Sequence, residues 1–409
     1  MALSTLSKPD IDWKVNEKLE NDLSLYVQQS LKRSEILDYV KRAYPEYGWS
    51  LSSLDRRLRY FDINYIHYET SLEDVKRAVR AEIEGPGRLL GIRAMNQKLR
   101  TVHGIQVPRH LVHAVMSEID PEDLEARSLD KKARKKKKPF TSDGPYSVLS
   151  LDGHDKMYGY QNWYFPIGVY GCQDTFSRKM LFINVNHSNS NPLKIGKLYL
   201  QFLYRNEHIP ETIRIDRGSE TGKMATIHAF LINRLGVRSD PKASVRYGPS
   251  TSNKIERWWK DLHKRLEKYF KLQLTTLLNT KEYDPHNALD RQLLAYIYIP
   301  MFQRECNTFV DLWNSHRIRA QNNLLLPTGV PNHMFDFPEQ YGGCTKGYSL
   351  QKNDLREVAE MSGVLSADDS DFFEKDIVEK CKQLLPRPEE IKCNEAMSKY
   401  RYLRRNIRL

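Results

Sequence analysis

Three acidic residues stand at positions that chemistry on phosphodiesters would need. Asp152 follows the run SVLSL, Asp216 follows TIRI, and Glu256 lies near the start of NKIERWWKDLHKRL; 63 residues separate the first pair and 39 the second. Carboxylates brought together from two strand ends and one helix can hold two Mg2+ (or Mn2+) ions. Such a pair, about 3.5–4 Å apart, stabilises both the attacking and the leaving oxygen of an in-line displacement at phosphorus. That is polynucleotidyl transfer. Each acid also has a plainer reading. Asp152 and Asp216 could be turn residues beside glycine, and Glu256, three residues after Asn253, could do no more than complete a helix cap.

The elements that must carry these acids can be read from periodicity. Strands are expected at Tyr146–Leu151, Tyr164–Gly171 and Lys179–Val185, the last two joined by the turn-like QDTFSR. A helix over 192–206, a short strand Thr212–Ile215 and a helix over 223–235 follow. A strand meander that gives way to alternating strands and helices predicts a mixed sheet flanked by helices, an α/β ribonuclease H-like layout. Sites in such sheets lie at the carboxyl ends of strands, where this reading places Asp152 and Asp216. In the helix from Asn253, residues i, i+4 and i+7 share a face, so Lys260 and His263 are expected beside Glu256. Ile255, Trp259, Leu262 and Leu266 form the opposite, core-facing stripe. Arg257, Lys260 and Lys264 are candidate phosphate contacts, with an ion pair to Glu256 as the simpler role for Lys260. His154 and Asp155 lie close to Asp152 and are left out of the ligand set, because successive strand residues face opposite ways.

Ahead of the sheet, the chain reads as small all-α units of helix-turn-helix type. In residues 1–68, Ile36, Leu37, Val40 and Tyr44 make a buried stripe, Gly48 permits a turn, and Ser50 caps a helix carrying Leu51, Leu54 and Leu58. Arg56, Arg57 and Arg59 are expected on its exposed side. In residues 69–127, Leu90, Ala94, Leu99 and Val102 precede a turn at Gly104. Pro108 then opens a helix with Leu111, Val112 and Val115 inside and Arg109, His110 and His113 outside. Such helices can place basic side chains on DNA phosphates. Residues 128–144 form a linker in which seven of the eight positions from Lys131 to Lys138 are basic. Lys135 and Lys136 there fit a phosphate-contacting strap or a nuclear localisation signal, against the plain alternative of a solvated linker. The core is expected over 145–343, and 344–409 reads as a charged tail ending KYRYLRRNIRL, an accessory or multimerising segment.

Composition fits a polyanionic partner. There are 64 Lys and Arg against 52 Asp and Glu, a formal charge of +12, which favours nucleic acid. Five cysteines without CxxC spacing argue against a disulfide framework and a structural zinc, and for a reducing compartment. No run reaches the roughly 18 apolar residues of a membrane span.

The runs LDGHDK, GCQDTFSRKMLFINV, RIDRGSETG, VRYGPSTSNKIERWW and IPMFQRECNTFVDLWNSHRIR followed by LLLPTGVPNHMF resemble the catalytic core of retroviral and transposon-derived integrases. They are most similar to the animal integrase core domain-containing proteins. The resemblance runs from about Ser147 to Gly343. It implies that Asp152, Asp216 and Glu256 are the metal-binding catalytic acids, that DNA is the partner and that the protein multimerises on DNA ends. Trp313, Asn314, His316 and Arg317 match a further motif, expected to close the core, with Arg317 and Arg319 near phosphate. Nothing before Cys172 could supply the cysteines of a retroviral zinc module, so two divalent ions and no zinc are expected. Nicking and strand transfer are the expected activities; a DNA-binding protein without catalysis is the rival.

Overall fold

Helical periodicity organises the first stretch of the computed structural model, which describes residues 13–121, 141–154, 164–248, 255–319, 326–368 and 372–407. The chain divides into two units, Met1–Arg80 with Gly91–Lys131 and Ala81–Leu90 with Lys132–Leu409. The first unit is built from α1 (Glu17–Gln28), α2 (Arg33–Ala43), α3 (Leu51–Tyr60), α4 (Leu72–Ile83, its last turn counted with the second unit), α5 (Ile92–His103) and α6 (Arg109–Ile119). Ile36, Leu37, Val40 and Tyr44 are buried, and Ser50 caps α3 by accepting from the Ser53 amide at 3.1 Å. Gly104, at φ +65°, ends α5 in the left-handed conformation that glycine adopts without strain. Leu51 and Val102 are exposed instead of buried, and Met95 rather than Ala94 fills the stripe of α5. Both exposed residues lie in the terminal turns of their helices.

Arg57 departs from expectation. It follows Leu54 by three residues and precedes Leu58, which places it on the buried stripe, and only 3% of it is exposed. Its guanidinium lies 4.0 Å from the Trp49 ring centroid, 5.2 Å from Trp13 and 5.5 Å from Tyr47. It also donates to the Gly48 carbonyl at 3.1 Å. Aromatic faces and a carbonyl replace water around the cation. Arg57 therefore holds the turn together and offers nothing to DNA, whereas Arg56, Arg59, Arg109, His110 and His113 are exposed.

The second unit centres on a five-strand mixed sheet: β1 (Val148–His154), β2 (Gly168–Asp174), β3 (Met180–Asn186), β5 (Thr212–Ile215) and β6 (Val245–Tyr247), in the order β3-β2-β1-β5-β6. β1 pairs antiparallel with β2 and parallel with β5, and β6 adds in parallel to β5. Helix α7 (Pro192–Asn206) makes the crossover to β5. Asn191 caps it, Pro192 presets its first turn, and Glu207 ends it in the left-handed region. Helix α8 (Gly222–Arg234) joins β5 to β6. Alternation along β1 sends Leu149 and Leu151 into one apolar core with α7 and α8. The other face packs on a second core from α9 (Ile255–Leu262), a π-helical turn His263–Glu267, α10 (Lys268–Asn279) and the long α11 (Ala288–Ser315). Helix α12 (Pro331–Asp336) follows.

Asn314 ties the end of α11 to the sheet. Its side chain accepts from the Met180 amide at 2.8 Å and donates to the Met180 carbonyl at 2.9 Å. Trp313 donates to the Arg178 carbonyl at 2.8 Å, and His316 bonds the Trp313 carbonyl. These residues close the core. Residues beyond 343, read from sequence as a tail, pack into the same unit. β7 (Tyr348–Ser349) pairs with β4 (His208–Ile209). Helix α13 (Lys352–Ser362) covers the α7 and α8 side through Leu355 and Val358. Helices α14 (Lys375–Leu384) and α15 (Ala396–Asn406) bury Ile377, Cys381, Tyr400 and Leu403 in the other core. No helix among the described residues is long and apolar enough to cross a membrane.

Candidate functional site

Asp152 is the fifth residue of β1 rather than its last, opposite Gly171 of β2. Asp216 follows the end of β5, and Glu256 sits in the first turn of α9. Parallel pairing of β1 with β5 puts the two aspartates on adjacent strands, and the packing of α9 across β1 adds the glutamate. Asn253, the capping partner considered for Glu256, lies outside the described residues, as do Asp155, Lys135 and Lys136.

Asp152 registers the charges of the other two acids. Burial, then the charges of Asp216 and Glu256, push the Asp152 carboxyl up to about 7, against weaker lowering by Trp259 and His154. Burial also raises Asp216, partly offset by Arg214. Converging like charges disfavour ionisation, a condition that a bound cation reverses. Asp152 Oδ2 accepts one hydrogen bond, from the Trp259 indole at 3.1 Å. Asp216 Oδ1 is buried with no hydrogen-bond partner among the described residues. An acceptor left open in this way suits a divalent cation, so the donor set fits the group that the motif implies. Among the described residues, no three His, Cys, Asp or Glu side chains stand close enough to ligate a metal as they are arranged.

Behind Asp152 stands a group of residues that sequence reading passed over. Trp259 reaches the aspartate because residue 171 is glycine: a Cβ there would lie 3.0 Å from the indole and 3.2 Å from Met180. His154, two residues from Asp152 and so on the same face of β1, stacks on that indole with centroids 5.1 Å apart and planes 8° apart. Parity therefore does not separate His154 from the acids. What engages it is Glu267, fully buried, to whose Oε2 His154 Nε2 donates at 3.2 Å. His263 Nδ1 donates to the same carboxylate at 3.0 Å. Burial would raise Glu267, but the two histidine donors outweigh it and hold its pKa low. Burial would lower His154, and its bond to Glu267 reverses this. His263 thus serves the buried glutamate rather than the face shared by Glu256 and Lys260.

The expected phosphate contacts are scattered. Arg257, Lys260 and Lys264 are exposed along α9 and the π turn, and Lys260 forms no ion pair with Glu256 among the described residues. Arg317 is exposed beyond α11.

A mixed sheet with this strand order, flanked by helices and carrying Asp152 on β1, Asp216 after β5 and Glu256 on α9, fits a ribonuclease H-like core. Residues 140–334 match the family model described as an integrase core domain. No curated protein was found to match the chain.

Proposed function

We propose that the protein is a DNA-processing integrase or transposase that nicks a DNA end and joins the resulting 3′-hydroxyl to a target strand. The observation that carries this is the convergence of the Asp216 and Glu256 charges on the buried Asp152, with an open acceptor on Asp216. Asp152, Asp216 and Glu256 would hold two Mg2+ or Mn2+ ions, which when bound supply charge neutralisation at phosphorus and an activated oxygen nucleophile. The chain's own residues do the positioning. Trp259 fixes one oxygen of Asp152, Gly171 gives the indole its space, and the cores on either face hold the sheet and α9 rigid. Lys260, Lys264 and Arg257 would line the approach of the DNA backbone, and Arg317 would extend it. Catalysis then comes from placement and electrostatics, without a covalent protein intermediate.

Arg56 and Arg109 in the first unit are proposed as further DNA contacts, the basic run as a nuclear address, and multimers on DNA as the working form. The deciding experiment is Mg2+- or Mn2+-dependent cleavage and joining on DNA ends. Wild type should give nicked and joined products, and Asp216→Asn should give neither. Full activity in Asp216→Asn would remove the assignment. Salt-dependent DNA binding with no metal-dependent product would identify a binding protein instead.

A further inference from the structure

The buried group behind Asp152 is larger than packing requires. Glu267 closes the π turn through His263, four residues before it, and that single contact would satisfy a local role. A second arm comes from the sheet. His154 donates to Oε2 of the same carboxylate at 3.2 Å, its ring lies flat on Trp259, and the Trp259 indole donates to Asp152. A carboxylate with none of its surface exposed is costly unless its partners are well placed. Here one partner ends at the catalytic strand. We infer that Glu267 is a positioning residue for Asp152, acting through His154 and Trp259; the inference rests on the catalytic assignment of Asp152 made above.

The physical need is specific. The terminal torsion of an aspartate is broad and roughly two-fold, so nothing intrinsic decides which oxygen faces the other acids. The indole N–H makes that choice by taking Oδ2. The indole must itself be held, and beyond the opening at Gly171 its free face is covered by the His154 ring. His154 can rotate unless its ring nitrogen is anchored, and Glu267 is the anchor. Helix and strand are thereby registered to each other at the atom where geometry matters most. π-helical turns inside α-helices recur at functional sites, and this one carries both His263 and Glu267.

The test uses the full-length protein and two readouts. The Trp259 indole N–H resonance, assigned by its loss in Trp259→Phe, is followed in Glu267→Gln and in His154→Phe. The latter keeps a stacked ring but removes the donor. Both variants should move the resonance toward its position in Asp152→Ala, where the acceptor is gone. An unmoved resonance in Glu267→Gln overturns the inference, as does a shift there that His154→Phe fails to reproduce. The second readout is metal-dependent cleavage. Glu267→Gln should lower the rate at saturating DNA by about 10–100-fold, the usual cost of losing an outer partner, with half-saturation by DNA unchanged. An unchanged rate also overturns the inference. Absence of cleavage in the wild type would reject the proposed activity while leaving the indole shift to decide the positioning role.

Discussion

Asp174 and Asp152 lie on neighbouring strands of one sheet, and both are nearly sealed from solvent. Asp174, at the turn between β2 and β3, has collected donors: the Tyr146 amide at 3.0 Å, the Ser177 amide at 2.7 Å and the Ser177 hydroxyl at 2.6 Å. Burial still pushes it up to about 6. Asp152 has one donor and two carboxylates for company, and stands at about 7. The same residue type at the same depth is completed in one place and left incomplete in the other. The structural carboxylate gathers hydrogen bonds, while Asp152 has the charges of Asp216 and Glu256 beside it instead.

The widest separation between the two should come from Asp152→Asn. Its cleavage rate is expected to fall about a thousandfold, since a metal site supplies several kcal/mol and each 1.4 kcal/mol is tenfold. In the same variant the metal-free protein should melt higher, because a destabilising charge is gone; calorimetry without divalent ions reads this. Asp174→Ala should do the reverse. Stranding three buried donors should cost about 3 kcal/mol in chemical denaturation, with the cleavage rate per folded molecule kept. Gly171→Ala lies between them, costing about 1–3 kcal/mol by overpacking and lowering the cleavage rate as the indole is pushed from Asp152.

The pH dependence follows from the raised Asp152 value. The folded form holds a proton between 3.8 and about 7, where the unfolded chain has released it. Stability of the metal-free protein should therefore fall as pH rises through that window and level off above it. Asp174 contributes in the same direction, so subtracting the Asp152→Asn profile isolates the Asp152 part. A flat difference profile would remove the coupling among the acids. The smallest expected effect is that of Lys260→Ala, which should reduce the slope of log affinity for DNA against log salt by about 0.9, one phosphate contact.

Much of the sheet was legible because its signals are local. Asn191, Pro192 and the apolar spacing beyond them place α7 at its observed limits, and Thr212–Ile215 is the observed β5. β1, β2 and β3 start one to four residues later than their apolar runs, because pairing across the sheet, not composition, decides strand ends. β6 went unforeseen: three mostly exposed residues carry no alternation, and the strand exists because β5 offers a parallel edge. Arg57 misled because a guanidinium on a buried stripe reads as surface until the three rings around it are in place. Glu267 had a visible signal in its spacing from His263. Its second partner comes from 113 residues away, which no local pattern reveals.

The C-terminal helices carry a consequence for synthesis. Ile407 joins the core that also seats Trp259, yet it is translated 151 residues after Glu256, on the order of ten seconds later at ordinary ribosome speed. A nascent chain therefore owns all three acids well before it owns the whole core that seats Trp259. The core around Trp259 is filled by α15 rather than by the segment that carries the third acid alone. A stop codon after Gly343, which spares every proposed ligand, should yield insoluble or protease-sensitive protein, and solubility of that truncation beside the full chain measures it.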